Sequence, residues 1–222
     1  LFGNSLIWPL LGQAILGAVT CVVIGLISRE FNKNAFIVGG ILAAFNLNLI
    51  AHDALIMTET LFIFFFVLHL YQILRIIKNP SYWGAFWAGL LLGFSIMFRP
   101  ILIYWCPVIS LFSSLVFLFI HQRHWIKSVT CGVIILFGVS LLTTPWYIRN
   151  YTNYGSWELE SQKGANMLNW VVPLIKEYNT GLSWSKGNAE MSQVLDTEMR
   201  RRGMEKLPEN PFQQSKLLMG IG

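Results

Sequence analysis

Charge is what this sequence has least of. Only 12% of its 222 residues are Asp, Glu, Lys or Arg, about half of what a soluble domain carries. With 55% hydrophobic residues and a mean hydropathy of +0.55, an ordinary water-soluble globule is excluded and an integral membrane protein is implied. Cysteine is scarce as well. Cys21, Cys106 and Cys131 all lie in apolar runs. No CxxC or Cys/His metal spacing accompanies them, so they read as small hydrophobes in helix packing. A basic stripe with stacking aromatics is also missing. The net charge of +5 therefore speaks for loops on anionic lipid and against nucleic acid. No internal repeat is visible, which removes the inverted-repeat signature of many transporters. The first apolar run has no basic leader before it and no cleavage pattern after it, so it is not expected to be a signal peptide. The sequence opens at Leu1 and closes at Gly222 just as an apolar run, Leu217–Ile221, begins. A piece of a longer protein is expected.

What is present is a series of apolar runs, roughly 5–28, 35–51, 54–74, 83–98, 101–120 and 126–145. Each approaches the length needed to cross about 30 Å of hydrocarbon, where only a helix satisfies its own backbone. The expected fold is all-α: a polytopic transmembrane bundle of about six spans over 1–145, an extracytoplasmic segment over 146–216, and the start of a further span at 217–222. Pro107 should kink the fifth span. Gly84, Gly89 and Gly93 in the fourth, and Gly39, Gly40, Ala43 and Ala44 in the second, suggest close helix packing. Tryptophans and tyrosines cluster near the span ends, as interfacial aromatics do. After Pro145 the composition changes, and residues 146–222 hold 17 of the 27 charged residues. Within them, 187–203 reads as a helix capped by Asn188, with Met191, Val194, Leu195 and Met199 as its apolar stripe.

The breaks between runs alternate in charge. Arg29/Lys33, Arg75/Lys78 and Arg123/Lys127 occupy every second break, which the positive-inside rule assigns to the cytoplasm. His52–Asp53, Arg99–Pro100 and Trp146–Arg149 then face outward, with Glu59 just inside the following helix. The carboxylates of the apolar part, Asp53 and Glu59, are thus expected on the same face as Arg99 and Arg149, as a site for a charged ligand. Glu59 heads a very apolar helix, where an ionisable group costs a few kcal/mol and is by default functional or paired; the alternative is a structural partner for Arg99. Asp53 stands beside His52, where a solvated loop charge is cheap. His52 could contact a metal or phosphate, although a lone interfacial histidine is usually neither. His69, deep in the third span, suits a hydrogen bond to a neighbouring helix. Guanidinium forks bind phosphate oxygens bidentately, so Arg99 and Arg149 are candidates for a phosphate ligand, with snorkelling to lipid headgroups as the alternative. Asn150-Tyr151-Thr152 is formally a glycosylation sequon, close to the membrane.

Three passages carry a family resemblance. They are LIAHDALIMTETLFIFFF (49–66), WGAFWAGLLLGFSIMFRP (83–100) and TTPWYIRNYTNYGSWELESQKGANML (143–168). In this order the chain resembles the GT-C superfamily of membrane glycosyltransferases, on the branch of dolichyl-phosphate-mannose protein mannosyltransferases and lipid A aminoarabinose transferases. The resemblance implies a hexosyl- or pentosyltransferase that takes a sugar from a polyprenyl-phosphate donor and passes it to a lipid, protein or glycan acceptor. It implies a multi-pass protein of the plasma membrane, bacterial by expectation, with its active face extracytoplasmic. Displacement at the anomeric carbon would use a carboxylate base and positive groups on the departing phosphate. The family's principal acidic motif is expected upstream of Leu1. Here the resemblance makes Glu59 a catalytic candidate and Arg99 and Arg149 the donor-phosphate ligands; His52–Asp53 matches no family pattern, and by their place on the expected outer face Asp53 joins Glu59 as a catalytic candidate and His52, Trp146 and Asn150 are taken as substrate lining. No resident cofactor is named; a divalent metal stays open. The rival readings are a multi-pass transporter or flippase of lipid-linked substrates, whose polar residues would sit at mid-bilayer, and a non-catalytic membrane assembly subunit.

Overall fold

A computed structural model describes residues 7–55, 58–120 and 125–221. Among them there is helix and no strand, so the chain is an all-α protein of membrane type. Its contacts divide it into two compact units, Leu1–Pro145 and Trp146–Gly222.

The first unit holds α1 (Ile7–Phe31), α2 (Ala35–Ala44), α3 (Leu47–Ala54), α4 (Glu59–Lys78), α5 (Tyr82–Phe98), a 3-10 turn (Pro100–Tyr104), α6 (Trp105–Ile120) and most of α7 (Trp125–Tyr154). Among the described residues three helices are fit by length and composition to cross a membrane: α1, α4 and Val129–Tyr154 of α7. α2 and α3 qualify as a fourth only together, because a 57° bend separates them. Asn46 makes that bend. Its side chain accepts from the backbone N–H of Asn48 and Leu49 and so starts a new helix. The second of the six expected spans is thus a broken one, and His52–Asp53 lie in the last turn of α3 instead of in a loop. α5, at 17 residues, is about 26 Å long and just under the hydrocarbon thickness. The expected kink at Pro107 falls elsewhere. Pro107 sits in the first turn of α6, where a proline costs no hydrogen bond, and the irregular stretch precedes it at Pro100–Tyr104.

The alternation of charge becomes two poles. α4 carries Glu59 in its first turn and Arg75 and Lys78 in its last, the arrangement its own dipole favours. At the basic pole Lys78 donates to the Glu30 carboxylate at 2.7 Å, and Lys127 lies 5.8 Å from the Tyr82 ring centroid. Those contacts join three basic breaks at one end of the bundle; Arg123 itself lies outside the described residues. Glu30 also corrects the expectation for the carboxylates. It belongs to the basic pole, where Lys78 neutralises it. Asp53 and Glu59 are at the opposite end.

Small residues let the helices approach. A Cβ on Gly89 would lie 2.3 Å from the carbonyl oxygen of Ile135, and one on Gly138 would lie 2.8 Å from that of Phe86. The Gly89-x-x-x-Gly93 pattern is therefore the α5–α7 contact, a packing within the chain. Gly25 and Gly39 do the same for α1 against α2, where added Cβ atoms would meet Phe36 O and Ser28 Oγ. His69 is fully buried and its Nδ1 lies 2.8 Å from Ala88 O. Since a carbonyl only accepts, Nδ1 carries the hydrogen, and the histidine ties α4 to α5.

The second unit opens with the end of α7 and continues through α8 (Lys163–Asn166), a π turn (Met167–Val171), α9 (Val172–Thr180), α10 (Trp184–Arg201) and α11 (Pro211–Met219). Helix α7 does not stop at Pro145, as the composition suggests, but runs on to Tyr154. It ends where Gly155 adopts a left-handed φ of +68° and returns its N–H to Tyr151 O at 2.8 Å. A small core of Leu168, Met191 and Leu218 gathers Leu195, Val172 and Leu207 around it. Gly164 gives its N–H to Ser215 Oγ at 2.9 Å, in a space that a Cβ would fill. α10 begins three residues before the expected start and Asn188 does not cap it. Trp184 packs on Trp170, with ring centroids 5.1 Å apart, and Gly187 fits against Pro173; those contacts extend the helix past the cap signal. Of its expected stripe, Met191 and Leu195 pack on the core and Val194 is exposed.

Candidate functional site

Opposite the basic pole, the ends of α3, α4 and α5 bring together His52, Asp53, Glu59, Thr60 and Arg99. The local reasons are legible. Thr58 stands at the N-cap of α4, which starts at Glu59, and Pro100 ends α5 at Phe98, with Arg99 as the capping residue just past its end. Glu59 and Arg99 form an ion pair through Oε1 and Nη2. The Glu59 side chain is 17% exposed and that of Arg99 47%, so the carboxylate is drawn inward and the guanidinium faces out. Of the five N–H donors of the guanidinium, the pair engages those on Nη2. Among the described residues no other side chain pairs with the Arg99 guanidinium.

Asp53 is placed differently from Glu59. Its Oδ1 accepts from Thr60 Oγ1 at 3.0 Å. Thr60, 3% exposed, also lies 3.0 Å from His52 O and receives a long contact, 3.4 Å, from Gln13 Nε2. The other Asp53 oxygen lies against Gly17 of α1, so closely that a Cβ there would stand 1.7 Å from Oδ2. The space lined by Gly17, Thr20, Leu49, Asp53, Thr60 and Ile63 measures about 10 Å³, which is room for about one water. A sugar does not fit there. The His52 backbone joins this knot through its carbonyl, while its ring Nδ1 is buried with no hydrogen-bond partner among the described residues. Sequence reading missed Thr60, Gln13 and Gly17. Thr60 stood in view beside Glu59, but a glycine and a glutamine in the first apolar run carry no signal until α1 is packed on α3 and α4. No group of three or more His, Cys, Asp or Glu side chains able to hold a metal ion occurs among the described residues.

In the second unit, Arg149, Trp146 and Asn150 lie on the last turns of α7. The Arg149 guanidinium sits 4.5 Å from the Trp146 ring centroid and 5.9 Å from that of Tyr154, a cation–π arrangement, and donates to Asn150 Oδ1 at 3.1 Å. Arg149 is exposed and has no carboxylate partner among the described residues. Trp146 and Asn150, expected to line substrate, have backbone duties. Trp146 Nε1 donates to Leu159 O at 3.1 Å and Asn150 Nδ2 to Glu158 O at 2.8 Å. They fasten the segment after Gly155 to the helix end. Asn150 is 2% exposed, so the sequon presents no accessible amide. The basic triplet Arg200–Arg202 is partly spent. Glu198 accepts from Arg201 at 2.7 Å and from Arg202 at 2.6 Å. Those two guanidinium groups hold its carboxyl below the usual carboxylate range.

Each unit thus carries an exposed guanidinium group, that of Arg99 held by a carboxylate and that of Arg149 by an indole face. Taken singly, each has the chemistry to meet a phosphate oxygen. Residues 1–148 match the family model described as Dolichyl-phosphate-mannose-protein mannosyltransferase. No curated protein matches the chain, and no solved structure does.

Proposed function

The chain belongs to the Dolichyl-phosphate-mannose-protein mannosyltransferase family, and from that premise we propose that it binds a polyprenyl-phosphate sugar at its extracytoplasmic face and serves the transfer of that sugar to a lipid, protein or glycan acceptor. Membership makes it a membrane glycosyltransferase of the mannosyltransferase type. The finer reading is carried by one observation. Arg99 projects half-exposed from the pole opposite Lys78 and Lys127, held there by Glu59. The basic pole is assigned to the cytoplasm, so Arg99 meets the outer headgroup layer, where a lipid carrier bears its phosphate.

In the reaction the acceptor oxygen bonds to the anomeric carbon as the carbon–oxygen bond to the carrier phosphate breaks. The acceptor's proton passes to a base, and the electron pair stays on the phosphate. Arg99 would accept that growing charge through charge-assisted hydrogen bonds already in place, the form of stabilisation that needs no reorganisation. Glu59 then acts as a positioning residue that fixes the guanidinium plane. Asp53, against Gly17 and Thr60, would act on the α1–α3–α4 junction and not on the acceptor proton. Arg149, set on the Trp146 face, is the second candidate for the carrier headgroup. The 57° bend between α2 and α3 is a feature that a transporter or flippase would share. The gathering of charge at a pole instead of mid-span favours the transferase.

Titration of a labelled polyprenyl-phosphate sugar against the membrane-embedded protein tests this. Arg99→Ala should weaken donor binding roughly ten- to a hundredfold, since the lost charged hydrogen bonds are worth about 1.5–3 kcal/mol and about 1.4 kcal/mol is tenfold. Arg99→Lys keeps the pair with Glu59 but loses the planar fork, so affinity should return only in part. Unchanged donor affinity in Arg99→Ala and in Arg149→Ala would remove the phosphate role and leave headgroup snorkelling.

A further inference from the structure

Helix α9 and the π turn before it are turned inside out relative to the rest of their unit. Leu168 and Pro173 are buried and Val172 packs on the small core, so one side of this segment is accounted for. The side left over is apolar. Trp170 is 57% exposed, Val171 41%, Leu174 52%, Ile175 51% and Tyr178 91%. At about 100° per residue these five fall in a single arc of roughly 140°, and no charged residue enters it. Lys176 and Glu177 lie outside the arc, and Lys176 is paired with Glu190 at 3.0 Å. α10 in the same unit is ordinary. It buries Met191 and exposes Ser192, Gln193, Asp196, Thr197 and Arg200. A water-facing unit that places charge outward on one helix and five large apolar side chains outward on the next has a second, apolar environment beside it.

We infer that the Met167–Tyr178 segment lies in the plane of the membrane surface, with Trp170, Leu174, Ile175 and Tyr178 immersed in lipid. Several observations select lipid as the occupant. The unit begins on α7, a helix fit to span the bilayer, so it is tethered beside a membrane. Exposed apolar residues continue along the chain from that helix into the unit at Ile148, Tyr151 and Trp157. Twelve residues of helix are about 18 Å, too short to cross the hydrocarbon and suited to lying on it. An indole and a phenol stand toward the two ends of the stripe, the side chains that settle at the headgroup level. An arc this wide without charge is the pattern of an interfacial helix, whose apolar face sinks about 5–10 Å below the surface. The inference concerns membrane attachment and stands independently of the sugar-transfer reading.

The chain reconstituted in phosphatidylcholine vesicles carries the test. An environment-sensitive fluorophore is placed on Leu174→Cys and Tyr178→Cys, with Glu177→Cys and Asp196→Cys as controls. Brominated acyl chains should remove most of the emission at 174 and 178 and leave that at 177 and 196 nearly intact. Emission at 174 and 178 that is shielded from water yet insensitive to brominated lipid would overturn the inference in favour of a protein partner or a second copy. Emission open to aqueous quencher would overturn it outright. The unmodified chain provides a second measurement that needs no substitution. A photoactivatable phosphatidylcholine should form adducts within 167–178 as well as on the spans, and adducts confined to the spans would count against the proposal.

Discussion

Gly17→Ala on α1 separates two opposite expectations. Helix propensity alone favours alanine over glycine by up to about 1 kcal/mol. The tertiary structure says the reverse. The new methyl carbon would stand 1.7 Å from Asp53 Oδ2, 2.5 Å from Cγ and 2.9 Å from Oδ1. Ordinary contact begins at 3.4 Å, so the carboxylate must retreat by about 1.7 Å. Its hydrogen bond from Thr60, now 3.0 Å, does not survive such a shift. A hydrogen bond to a charged group contributes about 1.5–3 kcal/mol. After the propensity gain the net loss is roughly 0.5–2 kcal/mol. Gly12, on the same helix, has nothing among the described residues within 4 Å of its would-be Cβ, so Gly12→Ala should be neutral or stabilising. In thermal unfolding of the micelle-solubilised chain, about 2–4 °C per kcal/mol for a protein of this size, the two variants should move in opposite directions. Adding Asp53→Ala to Gly17→Ala should recover stability, with a coupling of about 0.5–3 kcal/mol. A Gly17→Ala protein that melts at or above the wild type would refute the packing of Asp53 against α1.

Three further expectations follow the same logic. Gly89→Val should destabilise by about 1–3 kcal/mol, as overpacking does, because its Cβ would stand 2.3 Å from Ile135 O; Gly181→Ala, open to space but at a φ of +70°, should show a smaller loss of melting temperature. Glu198 has a depressed carboxyl pKa from Arg201 and Arg202, so its contribution is complete above the ordinary carboxylate value and is lost as pH falls through the lower folded-state value. Glu198→Gln should flatten that part of the pH–stability curve, and an unchanged curve would show that the pairs contribute nothing in solution. Impermeant thiol reagents should label a cysteine placed near Lys163 from the outside of sealed cells and spare one near Lys78. The opposite pattern would invert the topology and dissolve the outer-face reading of Arg99.

Much of this protein could be read from one dimension. The scarcity of charge announces helices in lipid, because no other element satisfies its backbone there within a single segment. The alternation of Lys and Arg orders the breaks into two sets, and the contacts of Lys78 with Glu30 and of Lys127 with Tyr82 put three of the basic breaks together. Arg99 and Glu59 stood out as costly groups at the rims of apolar helices, and pairing was the weighed alternative for Glu59. Gly89 was legible as a packing residue, though not its partner, Gly138.

Other features needed the folded chain. Sequence could not show that Asp53 rests on Gly17, since the two are brought together only when α1 packs against α3. It could not show that Trp146 and Asn150 hold the segment after Gly155, because a polar or aromatic side chain beyond a proline looks free until the following segment folds back and takes its hydrogen bonds. It did not show the apolar arc of α9, because which side of a short helix faces outward is decided by the core that claims the other side. Local periodicity and charge reveal which environment a residue needs. Only the tertiary structure decides which neighbour supplies it, because those partners lie beyond the reach of local periodicity, 8 residues on for Asn150 and 13 for Trp146, and farther still for Asp53 and Gly17.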